Sequence, residues 1–232
     1  MRGVSVRVVP RLFRPVARAM PWWTFLAAAG LGLAIVTVPA ATAVTLTGED
    51  LVGLLRVAAV CGALGVGFLL DDPAARSIAT VPTPRPVRYA ARAGVILPAA
   101  AVWWALVLAV TVAGAEDGIG ATLPLGGVTV EAAALGGVAL AVAAVRLRGR
   151  PDSGGLLAFP VLLGLVMAAR LLPDRMALFV PPDDTEWART HERWAVLLVV
   201  AVAVSTWASQ EPARRWTAVA RRRRSLVGHR RS

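Results

Sequence analysis

Three charged side chains sit within the apolar stretches of this 232-residue chain: Arg56, Glu131 and Arg170. Charge near the middle of a bilayer costs roughly 2.5 kcal/mol or more, so each of them needs a partner or a route to water. Pairing of Arg56 or Arg170 with Glu131 would make a polar pair or gate in the outer half of a helix bundle. The alternative is that both arginines snorkel to the outer headgroups along their apolar stems. A second charged concentration is Asp71, Asp72, Pro73, Ala74, Ala75 and Arg76. Adjacent aspartates gather metal only with further acids a few helical turns on, and none follows before Glu116. No metal site is expected there. The chain has no lysine, which excludes a Walker A loop and Schiff-base chemistry. Its two histidines, His191 and His229, and its one cysteine, Cys61, are too few for a Cys/His metal site. Neither GxSxG nor HExxH occurs. No catalytic residue is expected, and the chain reads as a non-enzyme.

The elements that must hold these residues are six apolar runs: 22–46, 51–70, 94–114, 128–145, 156–172 and 194–209. A membrane helix needs about 20 apolar residues; the first three runs reach that length and the last three fall short. All 25 basic residues are arginine. With the N-terminus inside, 20 of them fall in cytoplasmic segments that hold four acids, whereas the outer segments and their margins hold three arginines and ten acids, Glu131 included. Short basic loops stay cytoplasmic. The expected fold is therefore all-α: a polytopic membrane protein with six transmembrane helices and both termini cytoplasmic. Residues 1–21 form a cytoplasmic amphipathic segment, 22–209 the six-span domain and 210–232 a basic tail. A hydrophobic content of 57% and a mean hydropathy of +0.65 exclude a soluble globular domain. The pI near 11.7 points to membrane lipids and not nucleic acid, because the arginines flank the spans. Cys61 lies mid-span and reads as a small core hydrophobe.

Three connecting segments carry further signal. Before the first run, Arg7, Arg11, Arg14 and Arg18 share one helical face while Val9, Leu12, Phe13, Val16 and Met20 take the other, as in an interfacial helix. Trp22 and Trp23 follow at the headgroup boundary. In the second-to-third connection, Asp72 can cap a short helix that begins with Pro73 and is stopped by Pro82, Pro84 and Pro86. That makes either a rigid foot for docking a partner or a plain spacer. In the fifth-to-sixth connection, Met176 to Val180 is apolar, Pro181-Pro182 breaks the chain, and Asp183 with Glu186 reads as a helix start. Trp187, Ala188, His191 and Trp194 then share a face, which suits a pathway mouth or a lid.

These parts together resemble the permease subunits of ABC-type exporters with six spans per subunit, and Leu-Leu-Asp-Asp-Pro-Ala-Ala-Arg at the end of the second run is similar to actinobacterial permeases. The resemblance implies an elbow helix over Val6 to Met20, a coupling helix over Asp72 to Ala79 and a re-entrant region over Pro173 to Trp194. It implies that Asp71, Asp72, Pro73, Ala74, Ala75 and Arg76 bind a separate P-loop ATPase subunit. ATP and Mg would be held by that partner and no cofactor by this chain. A second permease subunit, identical or related, and a bacterial plasma-membrane location are implied as well. Two other classes stay open: a membrane-anchored accessory or scaffold protein, and an intramembrane lipid-modifying enzyme, since Asp71-Asp72 is similar to the start of a phosphatidyltransferase metal motif.

The topology has a direct test. With Cys61 replaced by alanine, a cysteine at Thr83 should react with a membrane-impermeant maleimide only after cells are opened, and one at Thr185 should react in intact cells. Labelling of the Thr83 position in intact cells would invert the map.

Overall fold

Helices occupy the apolar stretches, with Pro39, Pro98 and Pro160 accommodated inside them, because a chain in lipid must satisfy its backbone polar groups internally. The computed structural model describes residues 17–42, 44–70, 85–116, 118–149, 154–173 and 176–210. The elements are α1 (Trp22–Ala41), α2 (Gly48–Leu69), α3 (Arg85–Gly114), α4 (Ile119–Thr122), α5 (Leu125–Gly149), α6 (Gly154–Leu171) and α7 (Trp187–Ser209). No strand occurs among the described residues. Helices α1, α2, α3, α5 and α7 are long and apolar enough to cross a membrane, and the apolar part of α6, Leu156–Leu171, is shorter. The protein is a polytopic helical membrane protein with five such helices and a sixth, shorter one.

Several boundaries differ from the hydropathy reading, for local reasons. The first helix stops at Ala41, two residues after Pro39, and Val44 to Leu46 lie outside any helix. The second begins at Gly48, where Thr47 and Asp50 form a reciprocal capping box: the Thr47 hydroxyl accepts from the Asp50 N–H at 3.2 Å, and the Thr47 N–H donates to the Asp50 carboxylate at 3.0 Å. The fourth and sixth apolar runs are not short helices: α5 has 25 residues and α7 has 23. Their terminal turns carry Arg146 and Arg148, or Arg189, Glu192 and Arg193. Those residues end the hydrophobic run without ending the helix, since arginine and glutamate have high helix propensity. Asp183 does not cap α7. Asp184 instead accepts from the Glu186 N–H at 2.7 Å, and Glu186 precedes the first helical residue while its carboxylate holds Arg189 at 2.8 Å.

Burial divides the helices into inner and outer sets. In the most hydrophobic stretch of each, α2 is 61% buried and α5 50%, against 22% for α1, α3 and α7. The central pair is thus α2 and α5, with α6 against both, α1 and α3 on α2, and α7 on α5. The outer helices expose large apolar side chains such as Trp23, Leu31, Val102 and Val199, as lipid-facing surfaces do. Arg92 donates to the Leu70 carbonyl at 2.8 Å, and Arg148 to the Gln210 carbonyl at 3.4 Å. These bonds tie the start of α3 to the end of α2, and the end of α5 to the end of α7. One apolar cluster joins Met20 and Phe25 to Leu69, Leu70, Leu140 and Ala143, so the start of α1 belongs to the same end of the bundle.

Small residues set the closest crossings. Gly67 of α2 faces Ala139 and Ala158, and a Cβ there would stand 2.9 Å from the Ala158 Cβ. Gly62 lies under the Trp103 ring, into which an added Cβ would drive. Trp103 cannot retreat freely, because its Nε1–H donates to the Ala29 carbonyl at 2.9 Å. Gly136 has open space where a Cβ would go. Overpacking a filled site costs about 1–3 kcal/mol. Gly62→Ala should therefore lower the unfolding midpoint in detergent, and Gly136→Ala should leave it in place or raise it slightly. Equal effects of the two substitutions would contradict this packing.

Candidate functional site

A guanidinium presents five donors in one plane, and a buried one must find acceptors for them. Arg56, two turns into α2, meets Glu131 of α5 through two parallel bonds: Nε to Oε2 at 2.8 Å and Nη2 to Oε1 at 2.9 Å. The Glu131 side chain is 1% exposed and that of Arg56 14%. Nη2 of Arg56 also donates to the Val180 carbonyl at 2.9 Å. Its guanidinium carbon lies 5.2 Å from the Phe179 ring centroid and 5.7 Å from that of Trp187, within cation–π range. One residue thus ties α2, α5 and the segment before α7 together.

His191 completes the cluster. Its Nδ1 lies 2.7 Å from the Trp187 carbonyl, which can only accept, so Nδ1 carries the proton. Nε2 is then directed towards Glu131, 3.2 Å from Oε1 but outside hydrogen-bonding geometry, and is buried. The imidazole and the Trp187 ring are 4.2 Å apart. Gly127 makes room for both, since a Cβ there would stand 2.7 Å from His191 Nε2 and 2.8 Å from the Trp187 ring.

The segment between α6 and α7 has no ladder of its own, so side chains satisfy its carbonyls. Ala177 accepts from Arg193 Nη1 at 3.0 Å and from the Thr190 hydroxyl at 3.4 Å. Leu178 accepts from Trp194 Nε1 at 2.7 Å, and Val180 from Arg56. Trp194 and Thr190 are fully buried and Val180 is 5% exposed. Trp187, His191 and Trp194 face inward, whereas Ala188 is exposed. The described part of the segment is a strap over one end of the α2–α5 pair, with Arg56 as an anchor.

Not all the residues singled out by sequence meet here. Arg56 and Glu131 come together, while Arg170 sits one residue before the end of α6, exposed, with its guanidinium 5.6 Å from the Phe179 centroid. It is not well inside a span, because Pro173 ends the helix just beyond it. Asp71, Asp72, Pro73, Ala74, Ala75 and Arg76 lie outside the described residues, as do the elbow up to Val16 and the tail from Glu211. Met20, at the end of the expected elbow, is buried. The contributions of Phe179, Val180 and His191 to the Arg56 site were not read from the sequence. The signal available was the i, i+4 pair Trp187 and His191, which faces whatever α7 covers.

Chemically the cluster is a desolvated ion pair packed against an imidazole ring, suited to bracing helices. Among the described residues no group of three or more His, Cys, Asp or Glu side chains is gathered as a metal would require. Removing one member of a buried pair strands the other and costs about 3–5 kcal/mol, whereas replacing both with apolar residues is often near neutral. Glu131→Gln should therefore lower stability in detergent by that amount, and Arg56→Met with Glu131→Leu should lose less than Glu131→Gln alone. A double variant weaker than the single one would show that Arg56 does more through Val180 and the rings than through Glu131. The chain matches no family model, no curated protein and no solved structure.

Proposed function

We propose that this chain is the membrane-spanning permease subunit of an ATP-driven exporter of the ABC type, energised by a separate P-loop ATPase. In this reading α6 makes the sixth crossing, with the bilayer thinning locally around its short apolar stretch. Both termini are cytoplasmic and the membrane is a bacterial plasma membrane. ATP and Mg bind the ATPase, and this chain contributes no catalytic group. A second permease subunit, a copy or a related chain, completes the pathway.

The observation that carries the reading is that α2 ends and α3 begins at one end of the bundle, where Arg92 meets Leu70 and Arg148 meets Gln210. Most of the arginines in the sequence flank apolar runs on that side, which supports a cytoplasmic position for it. The opposite end carries the strap anchored by Arg56 and Trp194. In this reading the partner acts where α2 ends, and α2 carries Arg56 to the strap at its other end. ATP drives a conformational change only by binding one state of the ATPase pair better than the other. The Arg56–Glu131–Val180 contacts are the contacts that an outward opening would have to break.

The test is recovery of the partner. Tagged protein purified from its native membranes should bring down a P-loop ATPase whose nucleotide turnover depends on this chain. Arg76→Glu should reduce that recovery several-fold, since it reverses a charge on the foot, while leaving membrane insertion unchanged. Intact, inserted protein recovered without an ATPase would point to a scaffold, and lipid head-group turnover by the chain alone would point to an enzyme.

A further inference from the structure

A groove of about 500 Å³ runs between α5, α6 and α7, away from the Arg56 cluster. Its walls are almost wholly aliphatic: Val138, Ala141 and Val142 of α5, Leu157 of α6, and Leu197 and Val200 of α7 are among the lining residues. In water such a surface would call for a protein partner; in a bilayer, acyl chains are the solvent that reaches it. The groove has one polar wall residue, Arg146, in the last turn of α5. The Arg146 Nε is buried and has no hydrogen-bond partner. A buried donor left unpaired is costly, and an anionic acceptor is what removes the cost. Two residues on, Arg148 stacks 4.1 Å over the Trp207 ring and also leaves a buried nitrogen, Nη1, without a partner.

We infer that this groove binds one anionic phospholipid, with an acyl chain along the valine and leucine walls and the phosphate on Arg146, supported by Arg148. Size, polarity and charge all favour that occupant. The volume lies within the roughly 300–1,000 Å³ of single-ligand sites. An acyl chain needs no hydrogen bonds from the apolar walls, and a phosphodiester supplies the acceptor that Arg146 lacks. Basic pockets between helices at a cytoplasmic surface are where anionic head groups bind. A second copy of the chain packed symmetrically over the groove would bring its own Arg146 towards this one, which like charge opposes. The site does not depend on the transporter assignment: it requires only that the arginine-bearing end of α5 lie at a membrane surface.

Native mass spectrometry and thermal unfolding of the full chain in detergent test this together. With phosphatidylglycerol added, the wild type should retain one lipid adduct and unfold at a higher temperature; with phosphatidylcholine it should show neither effect. Arg146→Gln should lose the adduct and most of the shift. Val200→Trp fills the groove from its exposed rim without touching the charge, and should lose them as well. Val199→Trp, at a more exposed position outside the groove, should keep both. Equal shifts from inorganic phosphate would make this an anion site without a chain and overturn the proposal. So would equal retention of phosphatidylcholine, an adduct that survives both Arg146→Gln and Val200→Trp, or a change of oligomeric state with no change in lipid retention.

Discussion

The packing of this protein turns on one ion pair placed where water does not reach. Arg56 and Glu131 join the two most buried helices, and the pair is tolerable because three of the five guanidinium donors are spent: two on the carboxylate and one on the Val180 carbonyl. Buried pairs are poor sources of net stability, because desolvation of the two ions offsets most of their attraction. What they fix is register. Sliding α2 against α5 by one turn would leave a bare guanidinium and a bare carboxylate in an apolar layer. The aliphatic contacts around them would change little, since Leu, Val and Ala can interdigitate at many offsets. Specificity of the central crossing therefore resides in the polar pair, while its closeness comes from small residues such as Gly67, Ala139 and Ala158.

The same pair governs the strap between α6 and α7. Irregular backbone at membrane depth persists only where protein satisfies it, and here side chains from α2 and α7 do so at Ala177, Leu178 and Val180. Arg56 is shared between Glu131 and the strap, so the two are coupled: a change of charge at Glu131 is felt at Val180. His191 sits at the junction, its Nδ1 committed to the Trp187 carbonyl and its Nε2 turned to the carboxylate.

Much of this was legible in the residues, and the failures have identifiable physical causes. Apolar runs and arginine distribution located all the long helices, because the bilayer imposes a length and a charge asymmetry that survive any detail of packing. Helix ends were read poorly at Leu46, Val128 and Trp194, since hydropathy marks where lipid stops and hydrogen bonding marks where the helix stops. The capping box at Thr47 and Asp50 was readable and lies just outside the apolar run that drew attention. The Arg56 and Glu131 meeting was one of three open readings: Arg170 was an equal candidate partner, and both arginines could instead have snorkelled to the head groups. Nothing in the spacing of residues 75 apart tells which arginine faces inward, whereas Pro173, ending α6 just after Arg170, does argue for an exposed position. The strap's carbonyl partners are unreadable in principle, because any buried donor can serve any nearby carbonyl.

Both ends of the bundle are thus polar, by different means. At the end that holds the strap the charges are compensated within the chain: Arg56 has Glu131 in the interior, and Arg189 has Glu186 at the surface. At the other end the arginines of α5 have no acid partner among the described residues, and two of their nitrogens are buried without an acceptor. Unpaired donors of that kind are costly until an acceptor reaches them, whereas the pair at the centre carries its own.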